Sequence, residues 1–160
     1  ELAHTDALTA LYNRRAYDQE LAREWRRVQR NGAELSVLLI DADHFKSIND
    51  QHGHAVGDRV LQALAALIQR SAREIDVAAR IGGEEFCLLL PGSDAEAGGR
   101  VDRHLRAQLA ELVAQLGHPL DFSSGLAVLQ PGESLERLMT RADRALYQAK
   151  RQGRNRVMPA

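Results

Sequence analysis

The feature that most constrains the fold is a near-continuous apolar run over residues 35–40, Leu-Ser-Val-Leu-Leu-Ile. A strand with one face in water alternates polar and apolar residues, and this run does not alternate. It therefore predicts a strand in the middle of a sheet, buried on both faces. A second run over residues 86–90, Phe-Cys-Leu-Leu-Leu, predicts another strand.

Helical periodicity surrounds these strands. It predicts long helices over residues 13–29, 57–73, 94–116 and 134–151, and a short helical piece over residues 45–51. Further strands are expected over residues 77–81, 122–129 and, as a short edge strand, 156–158. Gly82-Gly83 is a tight-hairpin signal. A hairpin within an otherwise alternating chain predicts an α/β (α+β) fold, with a central mixed or antiparallel five-stranded sheet covered by helices.

Size and composition fit one domain over residues 1–160. The net charge of −1 gives no sign of a DNA-binding surface, and no apolar stretch is long enough to cross a bilayer. The single cysteine, Cys87, fits a reduced, cytoplasmic setting without membrane contact by this domain. Because the chain begins at Glu1 rather than at a methionine, we expect it to be a fragment whose upstream regulatory region, which could carry a membrane anchor, is absent.

The first candidate site follows the central strand, in the segment Asp41-Ala42-Asp43-His44-Phe45-Lys46. A carboxylate at the end of a buried strand requires a cation or a hydrogen-bond donor, and Mg²⁺ prefers a few carboxylates with phosphate oxygens and water. We assign Asp41 to a metal and leave Asp43 open between a metal ligand and a cap of the following helix. The backbone amides of His44, Phe45 and Lys46 could hold a phosphate.

The second candidate site is Gly82-Gly83-Glu84-Glu85-Phe86. Two acidic residues at a hairpin tip are usually only solvated. If the hairpin pairs beside the first strand, however, Glu84 approaches Asp41. Because neighbouring strand residues point to opposite faces, Glu84 is the stronger metal ligand, and Glu85 is left as a second-metal ligand or a base.

Four motifs in order resemble the GGDEF family, in its GGEEF spelling. Besides the signature, residues 6–15 are similar to D-x-L-T-G-L-x-N-R-R, with Ala10 where the family usually has glycine. Residues 41–58 resemble D-x-D-x-F-K-x-I-N-D-x-x-G-H-x-x-G-D, and residues 149–155 resemble A-K-x-x-G-R-N. The resemblance implies a nucleotidyl cyclase or palm-like fold with a ferredoxin-like core. It also implies a diguanylate cyclase that condenses two GTP molecules into cyclic di-GMP and two pyrophosphates.

The resemblance also assigns roles to residues. Asp41, the carbonyl of Ala42 and Glu84 would bind Mg²⁺ or Mn²⁺, with Glu85 essential to the motif. The guanine-reading pair would be Asn49 and Asp58, and Lys150 and Arg154 would bind phosphate. A carboxylate can accept from guanine N1–H and the 2-amino group, donors that adenine lacks. Taken singly, Asn49 could instead be a turn residue, Asp58 a helix cap, and Lys150 and Arg154 partners of the negative end of the last helix.

Regulation and assembly are further implications of the resemblance. Arg73 and Asp76 match an R-x-x-D inhibitory site for the product. A helix-end salt bridge would also explain this pair, but its spacing from the signature favours the inhibitory site. His104 stands where a second arginine often contributes. Because two GTP molecules must face each other, catalysis needs a homodimer. An upstream sensor or receiver domain would promote that pairing, so we expect the chain alone to be mainly monomeric or weakly active.

Two other functions stay open at this point. One is a catalytically dead domain that senses GTP or cyclic di-GMP, which the intact motif residues disfavour. The other is a cyclase that makes cyclic GMP within one molecule, which the full motif set disfavours. Identification of the products formed from GTP separates all three functions.

Overall fold

A computed structural model describes residues 3–160. The elements are α1 (Arg14–Asn31), β1 (Leu35–Ala42), α2 (Phe45–His52), α3 (His54–Ser71), β2 (Val77–Arg80), β3 (Glu85–Pro91), α4 (Ala95–Leu116), β4 (Phe122–Val128), α5 (Leu135–Arg151) and β5 (Val157–Pro159). Every predicted element is present, and the predicted apolar runs form β1 and β3. Within residues 3–160, no helix is both long and apolar enough to cross a membrane.

The five strands form one mixed sheet in the order β2-β3-β1-β4-β5. The central strand β1 is antiparallel to β3 and to β4, and β5 is parallel to β4. The strands β1 to β4 with their intervening helices form the βαββαβ arrangement of a ferredoxin-like core. The fold prediction is therefore confirmed.

Strand alternation divides the apolar residues into two cores, one on each face of the sheet. Leu38 and Ile40 of β1 pack with α3 and α4, whereas Val37 and Leu39 pack with α1 and α5. Every residue of β1 is buried. This burial explains why the run over residues 35–40 lacks polar alternation.

Most boundaries differ from the prediction by one or two residues, and two differences near the candidate site matter for its shape. Helix α3 begins at His54, three residues before the predicted Gly57, because Gly53 with φ 89° allows α3 to follow α2 directly. The second difference is the hairpin. Its strands end at Arg80 and begin at Glu85, so the connection is a four-residue loop over residues 81–84 rather than a tight Gly-Gly turn.

Candidate active site

The two acidic segments predicted to converge do so at the end of β1. Asp41 lies opposite Glu85 in the pairing of β1 with β3, and the Ala42 amide donates to the Glu84 carbonyl over 3.1 Å. Asp41, Ala42 and Glu84 line one cavity of about 260 Å³. We call this cavity the strand-end cavity. Its remaining lining residues are Asp43, His44, Phe45, Lys46, Ser47, Lys150 and Arg154.

The loop that carries Glu84 is held by an arginine that the sequence reasoning missed. The Arg80 guanidinium donates to the carbonyls of Gly82 and Gly83, with Nη2 2.7 Å from the Gly83 oxygen. Its Nη1 also lies 3.1 Å from Oδ2 of Asp6, which in turn accepts from the amide and hydroxyl of Thr9. The only signal in the sequence was the position of Arg80, directly before the loop, together with an unassigned aspartate in the opening motif.

Charge in the strand-end cavity is partly balanced. The Lys150 ammonium lies 2.7 Å from Oδ2 of Asp41. Burial raises the pKa of Asp41, and the hydrogen bond from Lys150 opposes that rise. Burial also raises the pKa of Glu84, and the neighbouring Asp41 charge raises it further. Both carboxylates are thus costly to keep ionised without a nearby positive charge, and a divalent cation would offset that cost.

The start of α2 forms one wall of the strand-end cavity. His44 precedes the helix with a left-handed backbone, φ 56°, and no side chain caps this helix end. The amides of the first turn have no carbonyl partner within a helix, and they lie beside the cavity that holds Asp41. The Lys46 ammonium instead lies 3.3 Å from Oδ2 of Asp50, in an exposed pair.

Asp43 does not cap α2, so that alternative is wrong. Both of its carboxylate oxygens are engaged elsewhere: Oδ1 accepts from the Ser123 hydroxyl over 2.7 Å, and Oδ2 accepts from the Asn155 amide over 2.9 Å. These donors come from β4 and from the segment after α5. Their approach depends on the tertiary fold and leaves no signal near Asp43 in the sequence.

The predicted guanine-binding residues lie on the adjoining pair of helices, outside the strand-end cavity. Asn49 is in α2, and Asp58 is exposed in the second turn of α3, so Asp58 is not the helix cap considered above. The Asn49 Oδ1 atom is buried and has no hydrogen-bond partner. A Cβ atom on Gly57 would lie 1.8 Å from this oxygen. The Asn49 side chain can occupy this position only because Gly57 has no side chain.

Glu85 faces a different space from Glu84. It lines a second cavity of about 460 Å³ together with Asp143, Tyr147 and Lys150 of α5. Burial raises the pKa of Glu85, and the charges of Asp143 and Asp41 add to that rise. Lys150 borders both cavities, so the two acidic residues of the signature flank one lysine.

Arg73 and Asp76 are remote from the strand-end cavity and bind each other. Arg73 Nη2 lies 2.7 Å from Oδ1 of Asp76 and also donates to the Pro91 carbonyl. The hydrogen bonds that Arg73 donates to the Asp76 carboxylate raise the pKa of the Arg73 guanidinium. The salt bridge considered as the alternative to an inhibitory site is thus present. His104 is exposed on α4, with Nε2 3.1 Å from Nε2 of Gln108.

The donor set of the strand-end cavity fits Mg²⁺ or Mn²⁺. Two carboxylates, Asp41 and Glu84, lie beside the Ala42 backbone, which is the kind of partial ligand set that Mg²⁺ completes with phosphate oxygens and water. Within residues 3–160, no three His, Cys, Asp or Glu side chains gather into a metal-binding group.

Comparison with known proteins agrees with the motifs. Residues 3–156 match the family model described as "Diguanylate cyclase, GGDEF domain". The chain is 43% identical over 158 residues to the diguanylate cyclase DgcP of Pseudomonas aeruginosa, covering 97% of this chain and 24% of DgcP. It is 37% identical over 160 residues to the diguanylate cyclase VdcA of Vibrio cholerae, covering 96% of this chain and 46% of VdcA. The chain thus spans less than half the length of either relative.

Two solved structures share the fold. The GGDEF domain of DgcB from Caulobacter crescentus, in complex with c-di-GMP, superposes with a TM-score of 0.92 at 38% identity, over 99% of this chain and 94% of that one. The active GGEEF domain of a diguanylate cyclase from Vibrio cholerae gives a TM-score of 0.84 at 35% identity, over 92% of this chain and 96% of that one. The chain therefore belongs to the GGDEF family of diguanylate cyclase domains.

Proposed function

We propose that this chain condenses two GTP molecules into cyclic di-GMP and two pyrophosphates, as the catalytic domain of a larger bacterial protein. One observation carries the proposal: the acidic residues Asp41 and Glu84 and the cations Lys150 and Arg154 line the same strand-end cavity. Acidic ligands for a divalent cation beside basic ligands for phosphate are what phosphoryl transfer from a nucleoside triphosphate requires.

Each residue has a defined part in this proposal. Asp41, the Ala42 carbonyl and Glu84 would hold Mg²⁺ or Mn²⁺. When bound, the divalent ion would supply charge neutralisation on the triphosphate and activation of the attacking 3′-hydroxyl. Lys150, Arg154 and the amides of His44, Phe45 and Lys46 would orient the phosphates, so that the α-phosphate faces the hydroxyl of a second GTP. The part of Lys46 rests on its amide, because its ammonium pairs with Asp50.

Asn49 and Asp58 would select guanine. The buried, unpartnered Oδ1 of Asn49 is an acceptor that a base donor can satisfy. Asp58 is exposed in the free protein, so discrimination against adenine would arise only once the bound base covers its carboxylate. Selectivity for guanine over adenine would therefore arise in the complex with the bound base, and not from an Asp58 carboxylate that is already buried in the free protein.

Catalysis would require two copies of the chain, because each copy has one such cavity and the reaction joins two GTP molecules across a two-fold axis. Glu85 borders the second cavity rather than the strand-end cavity. This position favours Glu85 as a base for the attacking 3′-hydroxyl over Glu85 as a ligand of the metal that Asp41 would bind. An upstream sensor or receiver domain would raise the local concentration of the two copies.

Product inhibition at Arg73 and Asp76 belongs to the same proposal. DgcB is solved in complex with c-di-GMP, which shows that a domain of this fold binds the product. Here the Arg73 guanidinium would have to share Asp76 with the ligand, because Asp76 now accepts from it. We expect Arg73→Ala to raise the concentration of cyclic di-GMP that halves the rate, while the initial rate stays unchanged.

The test is to incubate the chain with GTP and Mg²⁺ and to identify the products by chromatography and pyrophosphate release. Cyclic di-GMP that forms at a rate second order in protein supports the proposal, and Glu84→Gln should abolish it. Glu111→Gln, an exposed change on α4, is the matched control. Cyclic GMP as product, formed at a rate first order in protein, would support the intramolecular cyclase instead. GTP binding without any product would indicate a sensor domain.

A further inference from the structure

Asp43 connects three segments that are distant in sequence. It is 4% exposed, and its two carboxylate oxygens accept from the Ser123 hydroxyl of β4 and from the Asn155 amide. Its own amide donates to the Asp121 carbonyl over 2.9 Å. Each oxygen of this buried carboxylate, two residues after Asp41, therefore has a hydrogen-bond donor.

The segment that Asp43 holds has an unusual backbone. Arg154 and Asn155 are consecutive residues with left-handed conformations, φ 65° and 48°. Asparagine tolerates this conformation better than most residues, but arginine rarely adopts it, so the Arg154 conformation requires surrounding contacts that fix it. The Arg154 amide donates to the Ala149 carbonyl, and the Arg154 carbonyl accepts from Arg156 Nε over 3.0 Å. Asn155 donates its amide to Asp43, and its Oδ1 lies 3.4 Å from Arg106 Nη1.

The left-handed turn carries Arg154. Arg154 lines the strand-end cavity, and within residues 3–160 its guanidinium makes no ion pair and no hydrogen bond. Among the described residues no hydrogen bond orients the side chain, although its charge opposes the rise that burial causes in the pKa of Asp41. The direction in which the side chain leaves the main chain is therefore set by the backbone that carries it. The bond from the Asn155 amide to Asp43 is a charge-assisted contact to that backbone, made by a residue of the same cavity.

We propose that Asp43 is a positioning residue that holds the left-handed Arg154–Asn155 turn and so directs Arg154 toward the triphosphate, rather than a metal ligand. The assignment of the triphosphate rests on the proposed function. The role of Asp43 in the turn does not, because it follows from the hydrogen bonds themselves.

The first test concerns the turn alone and needs no nucleotide. Hydrogen exchange, followed by NMR, should show a protected Asn155 amide in the unchanged chain. That protection should be lost in Asp43→Ala and largely kept in Asp43→Asn, whose side-chain oxygen can still accept from the amide while its nitrogen donates to Ser123. An unprotected Asn155 amide in the unchanged chain, or protection that survives Asp43→Ala, would overturn the proposal.

The second test separates positioning from metal binding. Calorimetry should show that Asp43→Ala weakens binding of a non-reactive GTP analogue about tenfold, as does Arg154→Ala, and that the double variant binds no worse than either single variant. Mn²⁺ affinity without nucleotide should stay within about twofold in Asp43→Ala, unlike in Glu84→Gln. If the losses of analogue binding in the two single variants add in the double variant, Asp43 does not act through Arg154 and the proposal is wrong. If Asp43→Ala weakens Mn²⁺ binding as much as Glu84→Gln does, Asp43 is a metal ligand.

The two tests also separate this proposal from the function on which it partly rests. If the chain binds no GTP but exchange at Asn155 follows Asp43 as expected, then the proposed function fails and the positioning of the turn stands. If the chain makes cyclic di-GMP but hydrogen exchange at the Asn155 amide is the same in Asp43→Ala as in the unchanged chain, the proposed function stands and the positioning role is wrong.

Discussion

The Lys150 ammonium lies 2.7 Å from Oδ2 of Asp41, in the cavity that Glu84 also lines. Lys150 is thus both a proposed phosphate ligand and the present counter-ion of a proposed metal ligand. A divalent cation that binds Asp41 must share the carboxylate with this ammonium, and a triphosphate that binds Lys150 relieves the competition. Metal and nucleotide should therefore bind cooperatively.

Replacement of Lys150 by methionine should change the two affinities in opposite directions. Lys150→Met removes the competing charge, so Mn²⁺ without nucleotide should bind about 3- to 10-fold more tightly. A GTP analogue in saturating Mn²⁺ should bind about tenfold more weakly, because a phosphate contact is lost. Calorimetry measures both. If Lys150→Met weakens Mn²⁺ binding, then the lysine does not compete with the metal.

Gly57→Ala should damage nucleotide binding with little effect on stability. The new Cβ would lie 1.8 Å from Asn49 Oδ1, so the Asn49 side chain must move away from its position. We expect a GTP analogue to bind at least about tenfold more weakly, with the urea midpoint nearly unchanged. The control is Gly99→Ala, a helical glycine whose Cβ would meet only the end of Arg103, at 3.4 Å. Unchanged GTP affinity in Gly57→Ala would remove Asn49 from the guanine site.

Arg80→Lys should loosen the loop that carries Glu84. An ammonium cannot reach Asp6 and both loop carbonyls at once. The ion pair of Arg80 with Asp6 is partly buried, whereas the bonds from Arg80 to the loop carbonyls are exposed. The free energy of unfolding should fall by about 1.5–3 kcal/mol, the range for hydrogen bonds to charged groups. Turnover of GTP should fall more than GTP affinity does. Arg100→Lys, which alters the exposed pair with Glu96, should change stability by less than about 0.5 kcal/mol in the same urea titration.

Ala10→Gly should stabilise the chain. Ala10 has a left-handed backbone, φ 62°, where glycine is the family's usual residue, and Cβ makes that conformation unfavourable. After the entropy that glycine gains in the unfolded chain, we expect a net gain of about 0.5–1 kcal/mol in urea unfolding. Ala107→Gly, an exposed position within α4, should instead destabilise by about 1 kcal/mol. A destabilised Ala10→Gly variant would contradict the assigned backbone conformation.

Glu84→Gln should stabilise the metal-free chain at neutral pH while abolishing turnover. Burial and the Asp41 charge raise the pKa of Glu84, so the folded state binds its proton more tightly than the unfolded state does. The contribution of Glu84 to the free energy of unfolding therefore falls as pH rises from its unfolded pKa through its raised folded pKa. Urea midpoints should drop less between pH 5 and pH 7.5 in Glu84→Gln than in the unchanged chain, with Glu111→Gln as the control. Equal drops would exclude a raised pKa at Glu84.

Much of the fold follows from local pattern. The apolar run over residues 35–40 has no polar alternation because helices cover both faces of β1. The order of apolar residues in the sequence is therefore enough to predict this burial. The start of α3 was missed because the three added residues, His54, Ala55 and Val56, lack a helical stripe of their own. The loop over residues 81–84 was missed because Arg80 and Asp6, 74 residues apart, determine its shape.

The sequence by itself determined which residue types were available at the candidate site: carboxylates after a buried strand, a Gly-Gly loop with two glutamates, and cations at the end of the last helix. The tertiary structure alone decided how they are shared. It paired Lys150 with Asp41, faced Glu84 and Glu85 toward different cavities, and engaged Asp43 with Ser123 and Asn155. Each residue's chemistry can be identified from the sequence alone. Hydrogen bonds and charge contacts act over a few ångströms, so they depend on which distant segments the packed sheet brings together.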